Sequence, residues 1–364
     1  MPSKITRRIV SEAGVPGLDF ALSDDLSPGD LQSLLLDVYA KRASHIRERD
    51  LVDRTLRLPL LAPSTADARA MNKFDHIAFA AAGEFEALDL APVCALGLNS
   101  VLGGIHQNNV LTTIRNAEVL GDPTPAMALE CARRRKGTRG ELVRLCSSHR
   151  VLRLQPFDFP GFTPHFRLFA LVSAGRDRGS LDFELQELKN HIRFYLTLFR
   201  VLNTEGFRLT DPLVEITDLT ALEALLANAG CSREEIRKSV RAHIPGSGQR
   251  FLAERGIEFP SDVEEPPAQW PHLVPVRQRV FETLALEFPE AQFHFNLARL
   301  EGFGYYRGLC LRISPAAPDG VRYPVADGGF TDWTARLLQD RKERLFISGI
   351  GSEFVCRRYR FSAT

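Results

Sequence analysis

The chain has 364 residues, 44% of them hydrophobic and 25% charged, which is enough to bury a large core and excludes disorder as its main character. Its 46 basic and 45 acidic residues sum to +1, so it lacks the long-range field of a protein that lives on nucleic-acid backbone, although a local basic groove stays compatible with that balance. No apolar run approaches the ~18 residues of a membrane span, and MPSKITRRIVSEAG has no secretory apolar segment, so a cytoplasmic protein without membrane contact is expected.

Along the chain, Ser27-Pro28-Gly29-Asp30 supplies a capping hydroxyl, a first-turn proline and a carboxylate, and predicts a helix of some twenty residues through LQSLLLDVYAKRASHIRER. In TLRLPLLAPS, Leu56, Leu58 and Leu60 alternate around Pro59, the pattern of an edge or interface strand. Thr124 is the expected cap of a helix with Pro125 at its first position, running through MALECARRRK. ELVRLCSSHRVLRLQPF and HFRLFALVSAG read as two strands of a long hairpin joined by FDFPGFTP. A periodic helix over 180–203 follows, with Leu181, Leu185, Leu188, Ile192, Tyr195 and Leu196 on its apolar face. From about Asp211 to Pro260, LTALEALLANAG and SREEIRKSVRAHI, the latter with a Ser232–Glu235 capping box, read as a small helical insertion. FPSDVEEPPAQWPHLVP is its exit linker. Then come a helix at VRQRVFETLALEF, a strand at AQFHFNLA, a hairpin-like pair around GYYRGLCLRIS and RYPVADGG, and the apolar strand of RLFISGIGSEFV.

This order predicts an α+β fold, an antiparallel β-sheet flanked by helices with one helical insertion, rather than a doubly wound parallel sheet. The boundaries expected are a core over 1–209, the insertion over 210–263 and the rest of the core over 264–364. The GSG at Gly246–Gly248 lacks the third glycine and the preceding strand of a dinucleotide loop. Six cysteines stand singly, without the paired spacing of a zinc site, so reduced and mostly buried thiols are expected and no metal site.

Three clusters carry chemistry. On the hairpin, Arg153 with His165, Arg167 and Phe169 would share one surface if the register pairs them, and a guanidinium fork with an aromatic face suits a nucleotide. The alternative is charge on a wet face with Phe169 in the core. Between Gln107 and Thr124, the amides, guanidinium and carboxylate of Gln107, Asn109, Arg115 and Glu118 crowd toward a helix start, which fits a small polar ligand or an ordinary capped loop. The glycines of GFGYYRG (302–308), of Asp327-Gly328-Gly329 and of Gly349-Ile350-Gly351 point to close approach of a ligand or backbone, or to sheet twist with bulges.

In this order the clusters resemble the catalytic core of class II aminoacyl-tRNA synthetases, in the branch of histidyl-tRNA synthetase and the ATP phosphoribosyltransferase regulatory subunit, over most of the chain. LRLPLLAP resembles the first motif, which implies a homodimer through the Pro59 segment. VLRLQPF and HFRLF resemble the second, which implies Arg153 on the α-phosphate of ATP and Phe169 on adenine. There the family's glutamate is Gln155, and the arginine for the distal phosphates is His165. Arg115, Glu118 and Thr124 sit where the family places an amino-acid-binding loop. GFGYYRGL and ADGGFTD resemble the two histidine-branch signatures and put Tyr305, Tyr306 and Asp327 near the substrate side chain. SGIGSEFV resembles the third motif, keeping Glu353 but with Phe354 for its arginine, and Glu301 stands where the synthetase has a catalytic arginine. The carboxylate that reads the histidine is missing from FALVSAGRD. Each lost arginine removes a contact of about 1.5–3 kcal/mol.

Two functions follow from the resemblance. One is an ATP-dependent ligase that activates an amino acid or related carboxylic acid for a non-tRNA acceptor. It would use ATP and Mg2+, with Arg153 and Glu118 as catalytic residues and Glu118 and Glu353 as candidate metal or amino-group partners. The other is a non-catalytic regulatory subunit that senses a metabolite in the former active site and acts on a protein partner. No anticodon-binding domain follows the third motif, so tRNA is not an expected partner, and the near-zero charge disfavours an RNA-contacting paralogue.

Overall fold

The computed structural model describes residues 3–138, 140–155, 163–240, 247–259, 262–268 and 270–360. Of the FDFPGFTP loop, Phe157 to Phe162 lie outside the described residues.

Among the described residues ten strands form: β1 Glu86–Ala87, β2 Val93–Ala95, β3 Ala117–Val119, β4 Val143–Leu152, β5 His165–Arg176, β6 Thr210–Asp218, β7 Gln292–Phe295, β8 Leu309–Ala316, β9 Ala326–Thr331 and β10 Glu343–Ile350. Eight of them make one sheet in the order β1-β4-β5-β10-β9-β8-β6-β7, while β2 and β3 pair apart from it. The sheet is antiparallel except where β1 meets β4 and β6 meets β7. The mostly antiparallel α+β architecture expected from the element order is therefore the one observed.

β5 is central and is buried on both sides from Phe169 to Gly175, so each face of the sheet needs its own cover. One face is covered by the helices Ala68–Ala81 and Asp182–Thr204. There the ring of Phe169 sits 5.0 Å from Phe79 and 5.6 Å from Phe194. Deeper on that face His191 bridges the hydroxyls of Ser173 and Ser348 at 2.9 and 2.7 Å. Burial drives its imidazole well below the ordinary histidine value, which keeps it a neutral core group. The other face is covered over β4, β5 and β10 by the helix Pro123–Arg135, pinned by a fully buried Arg135–Glu343 fork at 2.6 and 2.9 Å.

Several local expectations hold. Ser27 caps the helix Pro28–Ser44, its Oγ accepting from Asp30 N at 3.1 Å. The insertion helices form at Leu219–Asn228 and Arg233–Ser239, the second with the reciprocal Ser232–Glu235 box, followed by Ser247–Ala253. The six cysteines are free, five of them buried.

Others are corrected. TLRLPLLAPS is no strand: Leu51–Leu56 is helical and Pro59–Leu61 is a 3-10 turn, because no sheet edge lies beside it for the alternating leucines to join. The chain reaches the sheet edge later, through the helix Ala68–Ala81 and β1. Asp122, not Thr124, caps the helix Pro123–Arg135, its Oδ1 accepting from Thr124 N at 2.8 Å. Thr210–Asp218, expected at the head of the insertion, is a strand of the sheet, with Pro212 absorbed at an irregularity in its pairing to β8.

Candidate functional site

The pleat decides which hairpin residues meet. Ser148 stands opposite Phe169, Arg150 opposite Arg167 and Leu152 opposite His165, so these six share one face. Arg153 continues the hairpin one residue on, with its N–H bonded to Pro164 O at 2.7 Å, and so falls on the other face together with Phe166. Its guanidinium lies 5.6 Å from the Phe166 ring centroid.

Four expected nucleotide-binding residues are thereby corrected. Phe169 is fully buried between helices and offers no stacking surface. Arg167 is bound to Asp75 at 2.6 Å, and His165 to Ala62 O at 2.7 Å and to the Arg150 guanidinium at 2.9 Å. Glu353 joins the same face, accepting from Ser64 and Arg357 at 2.6 Å each and pairing with Arg150 at 3.0 Å. Together they bind the chain around residues 62–75 and the helix Ser352–Arg358 to the sheet. Gln155 lies half-buried just past β4. Phe354 packs against Tyr323 with ring centroids 5.6 Å apart.

On this second face, at the N-terminal end of the helix Pro123–Arg135, a connected polar cluster forms. Arg153 Nε donates to Gly121 O at 2.6 Å, and Nη2 to Asp122 Oδ2 at 3.0 Å. Thr124 Oγ1 donates to Asp122 Oδ1 at 2.7 Å, and the Tyr305 phenol lies beside Thr124 and Asp122. The rings of Tyr305 and Tyr306 are 4.9 Å apart, and Tyr306 OH donates to Asp327 Oδ1 at 2.7 Å. The second oxygen of Asp327 accepts from Arg299 Nη2. Burial first, then Asp122 and Asp327, raise both phenols above the ordinary tyrosine range, so each stays a neutral donor. The structure thus brings together Arg153, Thr124, Tyr305, Tyr306 and Asp327 from four separate parts of the sequence.

Glu118 stands behind this cluster. Its fully buried carboxylate accepts from Asn99 N at 2.8 Å, Asn99 Nδ2 at 3.0 Å and Gln107 Nε2 at 3.1 Å. Burial pulls the carboxyl up, but these bonds outweigh it and hold it below the ordinary carboxylate value. Asn99 Oδ1 in turn accepts from Gly121 N at 2.8 Å, so Glu118 is linked to Arg153 by hydrogen bonds through Asn99 and Gly121. Asn109 adjoins through its carbonyl, which accepts from Leu154 N at 2.9 Å. Arg115 is exposed at the turn before β3 and is not drawn in.

The carboxylates nominated for Mg2+ do not fit it: Glu118 and Glu353 lie on different sides of the sheet, each already engaged by donors. Among the described residues no group of three or more His, Cys, Asp or Glu side chains is placed to hold a metal ion.

Sequence reasoning missed Asp122, Phe166 and Arg299. HFRLF offers two phenylalanines that only the register separates, and Arg299 stands two residues before the Glu301 that drew attention.

The glycine cluster approaches a side chain. A Cβ on Gly329 would lie 2.6 Å from the Tyr306 ring, and one on Gly302, at φ +97°, would lie 2.8 Å from it. These glycines let Tyr306 settle on the sheet within reach of Asp327.

No family model matches the chain, and no curated protein matches it in sequence. Solved structures do match in fold. An ATP phosphoribosyltransferase regulatory subunit/histidyl-tRNA synthetase from Bacillus halodurans superposes with a TM-score of 0.56 at 12% identity, covering 81% of this chain and 82% of its own. A histidine–tRNA ligase subunit from Alicyclobacillus acidocaldarius gives 0.56 at 14%, covering 82% and 95%. Histidyl-tRNA synthetase from Nostoc sp. PCC 7120 gives 0.55 at 14%, covering 81% and 73%. The chain has the class II synthetase-like fold that the order of its motifs implied.

Proposed function

We propose that this chain is a non-catalytic binding subunit that holds an amino acid or related small carboxylic acid against Thr124, Tyr305, Tyr306 and Asp327 and acts on a protein partner by differential binding. The observation that carries the reading is the ion pair between Arg153 and Asp122 at 3.0 Å. It sets a carboxylate on the guanidinium that a nucleotide phosphate would need. Neither His165, on the opposite face, nor Phe354 supplies a cation for the distal phosphates. The half of the face expected to take an amino acid is, by contrast, assembled.

A second reading, the ATP-dependent ligase, is favoured by Arg153 and Phe166 sharing one face. In it a carboxylate oxygen of the substrate attacks the α-phosphorus, pyrophosphate leaves, and Arg153 turns from Asp122 to the phosphate. ATP–pyrophosphate exchange with a panel of amino acids separates the two. The binding subunit gives calorimetric binding of an amino acid and no exchange. Exchange that disappears in Arg153→Ala establishes the ligase instead.

A further inference from the structure

We infer that the inner end of this face receives an anionic group, so that the bound molecule is a dicarboxylic amino acid or a comparable small dicarboxylate. The inference rests on the reading that this face binds a small carboxylic acid, and names its class.

Glu215, Arg312 and Asp327 are direct cross-strand neighbours on β6, β8 and β9 and line one face. Arg299 and Glu301 reach the same cluster from the chain after β7, and Gly248 N donates to Glu301 Oε1 at 3.4 Å. The carboxylates here have donors: Glu215 accepts from Asn296 Nδ2, and Asp327 from Tyr306 and Arg299. The guanidinium groups are short of acceptors. Arg299 is 1% exposed, yet among the described residues its Nε and Nη1 have no hydrogen-bond partner, and neither does Nε of Arg312. Beside these three unmet nitrogens, which carry four N–H groups, Glu301 Oε2 is likewise unmet and lies 3.5 Å from Arg312 Nη2.

A guanidinium stays charged at any pH a protein survives, so its desolvated donors cannot be silenced by losing a proton. A carboxylate, with two oxygens and about four lone-pair sites, meets such a deficit where a neutral amide brings donors of its own. The Asp327 side chain remains 43% exposed, so the cluster meets solvent at Asp327. An acidic amino acid entering there sets its ammonium on Asp327 and carries its second carboxylate inward to Arg312 and Arg299.

The test is calorimetric titration of the full chain with L-glutamate, L-aspartate, L-glutamine, L-asparagine and L-histidine, with no nucleotide present. One acid is expected to bind at least tenfold more tightly than its own amide. Arg312→Gln, a partly exposed position checked for folding by its melting temperature, is expected to erase that preference, and Arg312→Lys to recover part of it. Equal or tighter binding of an amide or of histidine overturns the inference and leaves the parent reading standing. Failure of all five to bind at millimolar concentration overturns both.

Discussion

Tyr306 packs on the backbone of Gly329, and its hydroxyl meets Asp327 at 2.7 Å. A methyl group at 329 would meet both the Tyr306 ring at 2.6 Å and the Cys310 Cβ at 2.8 Å, neither of which has room to retreat. Gly329→Ala is therefore expected to lower stability by about 1–3 kcal/mol and to weaken ligand binding at least tenfold. Urea denaturation and calorimetry measure the two effects. An unchanged affinity would remove Tyr306 from the binding site.

The two phenylalanines of HFRLF are expected to behave oppositely. Phe169→Ala opens a cavity between Phe79 and Phe194 and is expected to cost about 3–5 kcal/mol. Phe166→Ala, half-buried on the face of Arg153, is expected to cost less than a third as much. Equal losses in chemical denaturation would contradict the register.

The register also marks where sequence reasoning ends. Long elements with strong periodicity, such as the helix Asp182–Thr204, and capped starts, such as Ser27 and Ser232, are readable because the determinants are local. The side of the sheet that Phe169 takes is not local. It follows from Arg153 N pairing with Pro164 O across the hairpin, and one residue of slip would exchange every side chain between faces. β6 was hidden for a different reason: Pro212 interrupts its run, and the strand is completed only by partners about eighty and a hundred residues away. Thr124, Tyr305, Tyr306 and Asp327 were legible through their motif resemblance, whereas Arg299 belongs to no motif and emerges from packing alone.

Asp122 both caps a helix and occupies Arg153. Asparagine caps as well as aspartate but carries no charge, so Asp122→Asn is expected to leave the melting temperature within a few degrees. Binding of a fluorescent ATP analogue is expected to strengthen by up to about tenfold as the guanidinium is released, and Arg153→Ala in the same background to abolish the gain.

The Glu118 carboxyl is held below its ordinary value in the folded chain. Protonating it is therefore harder folded than unfolded, and its contribution is complete above the unfolded value of about 4.3 and drains away as pH falls through the folded one. Glu118→Gln is expected to cost about 1.5–3 kcal/mol at pH 7, since its amide oxygen can keep the Asn99 donors only by turning its NH2 toward the Gln107 Nε2 donor. Urea midpoints of the variant are expected to fall less than those of the parent between pH 5 and pH 3. Parallel curves would show that the site does not carry this charge.

None of residues 3–69 is buried, although they form the helices Lys4–Ala13, Pro28–Ser44 and Leu51–Leu56. Val52 is 66% exposed and Leu56 77%, with Leu51, Leu58 and Leu61 also open around Pro59. Isolated helices of this length do not recover their ordering entropy without burying a face, and an apolar patch of this kind is typical of a surface covered by a partner. A second copy of the chain is the proposed cover, which keeps the homodimer implied by the Pro59 segment even though that segment is a turn and not a strand. Light scattering at micromolar concentration is expected to give twice the 40.7 kDa of one chain, and Leu56→Glu with Leu58→Glu to halve it without changing the sheet core. A parent chain that is monomeric under those conditions would leave this surface to a different protein.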